Sequence, residues 1–137
     1  MACPTGPFRG GSRRPSGVEI VGACDRPETW FPNLIATAAF CVLNSGWTCE
    51  PGAVFPGVVA AHRPDTTVPH PMFVEPFLWK EQLTPREIGD RTVAWLLAVP
   101  ISPSERDFAQ RHSADALEER FERAEVDIFD LDRQPAV

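Results

Sequence analysis

Proline placement limits this chain more than any other feature: fifteen prolines and nine glycines are distributed over 137 residues. Proline lacks a backbone N–H and its ring clashes with the preceding helical turn, so long uninterrupted helices are excluded. Mixed structure with many turns remains. Hydrophobic residues make up 43% of the chain, enough to fill one core at this length, and a single domain is expected.

The pieces between the breakers carry distinct periods. Val18 to Ala23 (VEIVGA) reads as a short strand, closed by Asp25-Arg26-Pro27. Pro32 suits the first turn of a helix, where a missing N–H costs nothing. That helix runs to about Leu43, with Ile35, Ala38, Ala39, Val42 and Leu43 on one face, and Asn44-Ser45-Gly46 stops it. Val54 to Ala60 is apolar but interrupted by Pro56, which predicts an edge strand or an extended loop. Met72 to Val74, bounded by Pro69, Pro71 and Pro76, predicts a short strand near a sheet edge; Phe77, Leu78 and Trp79 follow as a second apolar cluster. Glu87 to Asp90 reads as a turn.

Thr92 to Val99 (TVAWLLAV) is the strongest strand signal. Its nearly continuous apolar run indicates burial on both faces, with Pro100 as its expected end. Ser102-Pro103-Ser104-Glu105 has the form of a capping box with proline at the first helical position. It starts a helix to about His112, and Ser113 caps a further one with Leu117, Phe121 and Ala124 inward and Glu118, Glu119, Arg120, Glu122 and Arg123 outward. Val126 to Leu131 (VDIFDL) alternates apolar and acidic residues, which predicts a last half-buried strand. The resulting class is α+β, a mixed β-sheet flanked by helices.

Charge and cysteine usage narrow the function. The net charge is -6, and recognition of a phosphate backbone needs clustered Lys and Arg, so nucleic acid is disfavoured as a partner. Residues 1–17, rich in Gly, Pro, Ser and Arg, read as a disordered tail. Cys3, Cys24, Cys41 and Cys49 show no C-x-x-C spacing and follow no signal peptide, so reduced thiols and a cytoplasmic location are expected. No run of about 18 apolar residues predicts a membrane span.

The run VAWLLAVPIS, the helix entry SER, then ADALEERFE and VDIFDLDR resemble the C-terminal part of suppressor-of-fused domains. Upstream, FPNLIATAAFCVLNSG, PGAVFPG and VPHPMFVEPFLW resemble the middle of that domain. The likeness covers about residues 18–133. It implies a suppressor-of-fused-like domain over 18–137 that lacks the family's N-terminal part, a helix and a strand. An unpaired sheet edge or an exposed apolar patch would follow. The resemblance also implies binding rather than chemistry, with no catalytic residue and no cofactor. The animal member restrains transcription factors through a peptide held partly by strand addition, and bacterial relatives are inferred to be immunity proteins against toxins. The expected function is a non-catalytic protein-binding module of the immunity type, its partner a protein such as a toxin domain.

Individual residues are weighed against their ordinary roles. The resemblance points to Glu75, beside the short strand, as an acidic contact for a basic partner residue; an exposed glutamate without a role is the ordinary reading. Trp79 could anchor a partner, as buried aromatics dominate interface energetics, or pack in the core. Phe73 belongs to the same edge segment, so the candidate contacts are Phe73, Glu75 and Trp79. The acidic face of the last helix is a further surface for a basic partner, or a solvated helix face. Trp95 reads as core. The alternatives are a remnant of a longer protein without an independent role, and a small thiol enzyme using Cys49 or His70. His62, His70, Cys41 and Cys49 do not have zinc-site spacing, so no metal is expected.

Overall fold

The computed structural model describes residues 17–137 apart from Leu78 and Lys80. The expectation for the tail of residues 1–17 therefore falls outside the described residues, save Gly17. The elements run β1 (Gly17–Gly22), α1 (Phe31–Ser45), α2 (Val58–His62), β2 (His70–Val74), β3 (Arg86–Ile88), β4 (Arg91–Ile101), α3 (Pro103–Arg111) and α4 (Ala114–Arg123). β4 is the hub of the mixed sheet. β1 pairs with it in parallel on one side, while β2 and β3 pair antiparallel on the other, at different heights.

Helices cover both faces of β4, which is why its sequence is an apolar run rather than an alternation. Leu96 and Ala98 join Phe73, Leu34, Ala38 and Val59 in one core layer under α1 and α2. Leu97, Val99 and Ile101 join Met72, Val74, Leu117 and Phe121 in the other, under α4. Gly22 permits the close approach of β1 to α1: a Cβ there would lie 2.9 Å from Ile35 Cδ1. Gly46 ends α1 in the left-handed region, its N–H donating to the Cys41 carbonyl. The Ser102–Glu105 capping box is formed in both directions, and Ser113 caps α4 through the Ala116 N–H.

Pro100 does not end β4. It lies directly opposite Pro71 of β2. Phe73, two residues from Pro71, turns its N–H and C=O away from β4, to Ala53 O and Gly52 N–H. By alternation Pro71 and Pro100 sit at a non-hydrogen-bonded pair, where a missing N–H breaks no bond to the facing strand. Residues 52–55 cover the outer edge of β2 through these bonds and that of the Phe55 N–H to Pro71 O. The expected strand or loop over Val54–Ala60 is instead an isolated bridge at Val54, then a short helix from Val58.

The predicted last strand over Val126–Leu131 does not form. Asp127 and Asp130 accept from the backbone N–H groups of Phe129 and Asp132, two residues on. Those Asx turns fold the segment locally and outcompete an extended ladder. The chain then closes on α3: Arg133 donates to both Glu105 carboxylate oxygens, at 2.7 and 2.8 Å, and to the Pro100 carbonyl at 3.0 Å.

Among the described residues, β1 has only β4 as a strand partner, and α1 exposes Phe40 and Leu43. Cys24 and Cys49 are free thiols. Cys41 is disulfide-bonded, contrary to the expectation of uniformly reduced cysteines.

Candidate functional site

β4 carries a gap between its two antiparallel neighbours. Val74 pairs with Leu97 and Arg86 with Val93, leaving Ala94 to Leu96 without a strand partner on that side among the described residues. Continuing either register sets Pro76 or Thr84 against Trp95. Pro76 has no N–H to give to the Trp95 carbonyl, and Pro85 stiffens the chain just before β3, so both ladders stop short. Alternation along β4 points the Trp95 N–H and C=O into this gap. Two backbone groups of a central strand are thereby left facing a recess.

The recess is a groove of about 1230 Å³. Glu75, Glu87 and Asp90 reach it from the strand side, and Asp115, Glu118, Glu119 and Glu122 from α4. These are seven carboxylates, and no lysine or arginine lines the groove among the described residues. Arg123 reaches Glu119 at 3.9 Å, but that pair is exposed and contributes little. Burial pushes the Glu118 carboxyl above its ordinary value, and the charges of Asp115, Glu122 and Glu75 push it further the same way. Among the described residues the groove thus holds negative charge that its own walls do not neutralise. Trp95 is half-buried on its wall, and its indole N–H has no hydrogen-bond partner.

The three candidate contacts lie at three different depths. Glu75 is exposed on the groove wall. Trp79 is 52% exposed and adopts φ 55; it belongs to the loop between β2 and β3 but does not line the groove. Its carbonyl accepts from the N–H groups of Gln82 and Leu83, which turns that loop. Phe73 is 0% exposed and stacks edge-on against Phe55 at 4.6 Å, so it braces the wall from the core. The sequence placed Trp95 in the core and did not join it to the α4 carboxylates, which the fold brings to one groove.

The groups considered for thiol chemistry are held in other roles. The Gly57 N–H donates to His70 Nδ1 at 2.8 Å, and burial, with a smaller contribution from Arg106, holds this imidazole below its ordinary pKa. His62 Nε2 is 2.8 Å from Thr37 Oγ1. Cys49 lines the groove, yet burial, with Glu50 adding to it, pushes its thiol up to about 12. The thiolate is the nucleophile, so Cys49 is expected to resist iodoacetamide at pH 7.5 in the native state. Mass spectrometry showing Cys49 alkylated as fast as in urea would favour the thiol-enzyme reading.

Comparisons with known proteins agree with this architecture. The family model described as suppressor of fused protein matches residues 1–134. Immunity protein YqcF of Bacillus subtilis is 39% identical over 123 residues, covering 90% of this chain and 64% of that protein. The crystal structure of a suppressor of fused homologue from Neisseria gonorrhoeae superposes with a TM-score of 0.72 at 20% identity, over 88% of this chain and 64% of that one. Sufu in the Sufu–Fu complex gives 0.65 at 17% identity, over 82% of this chain and 47% of that chain. This chain therefore spans less than two thirds of the length of these relatives. The family model matched over residues 1–134 and the 39% identity to the B. subtilis relative lead to one conclusion: the chain belongs to the suppressor of fused family.

Proposed function

We propose that this protein is a non-catalytic binding module of the immunity type, which occludes a partner protein by holding an extended, positively charged segment of it in the acidic groove. The observation that carries the reading is the unfilled stretch of β4. Trp95 offers one backbone donor and one acceptor between two proline-terminated strands, beneath seven carboxylates. An added strand gains affinity from such backbone groups and selectivity from the side chains around them. The immunity assignment draws on the name of the B. subtilis relative. The corresponding partner is a basic toxin domain, since complementary charge speeds encounter and disfavours other partners.

In this reading Glu75 supplies charge at the groove wall, Trp79 an exposed apolar contact beside it, and Phe73 the rigid support beneath. The test is a Glu75→Arg, Trp79→Ala double variant, measured against a partner captured from the native cell and then purified. Both side chains are exposed, so the melting temperature is expected to stay close to that of the unmodified protein. Affinity is expected to fall about a hundredfold, and affinity of the unmodified protein is expected to fall as salt rises. Unchanged affinity in the double variant overturns this surface.

A further inference from the structure

Next to the groove lies a second, more apolar recess of about 320 Å³ between α4 and the sheet. Met72, Val74 and Val99 wall it from the sheet, Phe121 from α4, and Val126 and Ile128 from the segment after α4. Glu118, Glu122, Glu125 and Asp127 also line it, and no lysine or arginine does among the described residues. Glu122, Glu125 and Asp127 are exposed, so they mark its mouth. Phe77, Glu118 and Glu122 line both recesses, which makes the slot a side chamber of the groove. Its volume lies at the small end for ligand sites.

The backbone at the mouth is held at a local cost. α4 ends with the Val126 N–H on Phe121 O at 3.0 Å and the Glu125 N–H on Glu122 O at 3.2 Å. This is the double bond pattern whose central residue is usually glycine. Here that residue is Glu125, at φ 50. A carboxylate there also faces the negative end of the helix dipole. Two unfavourable local choices thus place a negative charge at the entrance of an apolar slot. Burial holds the Glu118 carboxyl above its ordinary value, and the nearby charges of Asp115, Glu122 and Glu75 act in the same direction.

We propose that the slot receives one large apolar side chain of the partner, of the size of Phe or Leu, with Lys or Arg on either side of it in the partner's sequence. The inference rests on the binding reading above and adds a recognition rule to it. The apolar anchor fills the slot, and its cationic neighbours meet the carboxylates of the mouth and the groove. A purely cationic segment would satisfy the groove and leave the slot unfilled. A purely apolar one would leave the carboxylates unpaired.

The test uses the full chain, isotope-labelled for amide NMR, and three acetylated and amidated tripeptides: Arg-Phe-Arg, Arg-Ala-Arg and Glu-Phe-Glu. Arg-Phe-Arg is expected to shift the amides of Phe121 and Val126 to Phe129. Its affinity is expected to exceed that of Arg-Ala-Arg about tenfold, the gain from burying a phenyl ring. Glu-Phe-Glu is expected not to bind. Val126→Phe, which fills the slot from within, is expected to remove the tenfold advantage while leaving Arg-Ala-Arg unchanged. Equal binding of Arg-Phe-Arg and Arg-Ala-Arg at the groove walls overturns the slot and leaves the groove reading standing. Binding of Glu-Phe-Glu as tight as Arg-Phe-Arg overturns the charge rule, and no shift with any peptide overturns the proposal. The groove reading is then decided separately by the Glu75 and Trp79 double variant. A dimer in sedimentation that Val126→Phe abolishes would assign the slot to a second copy of this chain and overturn the proposal.

Discussion

Arg133→Ala is expected to destabilise the protein by about 3–5 kcal/mol, a drop in melting temperature on the order of 10 °C or more. Glu105 is 0% exposed, and its carboxylate accepts from Arg133, from the Ser102 N–H and from the Ala136 N–H. Removing the guanidinium leaves a buried charge with two backbone donors, and frees the Pro100 carbonyl as well. It also removes the contact of Arg133 over the Phe121 ring at 5.0 Å. Burial alone would push the Glu105 carboxyl up. The Arg133 guanidinium and the two N–H groups outweigh it and hold the carboxyl below its ordinary value.

The sign of the pH dependence follows. A depressed folded pKa gives stability that is complete above the unfolded value of about 4.3 and is lost as pH falls through the folded value. Denaturant melts of the unmodified protein should therefore weaken below about pH 4.3, and Arg133→Ala should shrink that acid limb along with the neutral-pH stability. A Glu105→Leu, Arg133→Met pair, which removes both charges, should recover most of the loss. An Arg133→Ala protein that melts with the unmodified one would mean that the pair contributes nothing.

Phe73→Ala is expected to cost a similar amount, about 3–5 kcal/mol, because it empties a phenyl ring from a closed core. Phe73 packs against Phe55 and lies in one cluster with Leu96 and Ala98. Its backbone is committed on the outer edge of β2 to Gly52 and Ala53. The expected pattern is lost stability, with partner affinity per folded molecule retained, the reverse of the pattern for Glu75→Arg. Thermal melts and titrations on the same samples separate the two. Undiminished melting of Phe73→Ala would show that the ring is not the brace of the groove wall.

Signals carried within one element were legible in the sequence. The Ser102 capping box, the Gly46 stop and the buried run of β4 each depend on neighbours a few residues away, whereas the face expected for α1 was rotated: Phe31, Leu34, Ala38 and Cys41 turn inward and Leu43 is exposed. The α+β class follows from their order. The acidic character of α4 was equally plain, because charge is a property of composition and spacing. Proline was the weaker guide. Pro100 was expected to end β4, but whether a missing N–H matters depends on which way that position faces, and only the pairing with Pro71 decides it.

Val126 to Leu131 alternates as a strand would, yet its aspartates bond the local backbone, and among the described residues a single backbone bond, from the Asp25 N–H to Phe129 O, ties it to the chain after β1. Phe73, Glu75 and Trp79 are close in sequence, but β2 ends at Val74, so Phe73 stays in the core while the loop that follows carries Glu75 to the groove wall and Trp79 to the solvent. The groove itself is a tertiary product. It exists because two strands that stop at prolines flank the same side of β4, and because α4, about twenty residues further along, lies across the opening they leave. Local propensity and charge were written in the chain; which backbone groups stay unpaired, and which carboxylates surround them, was set only when distant segments met.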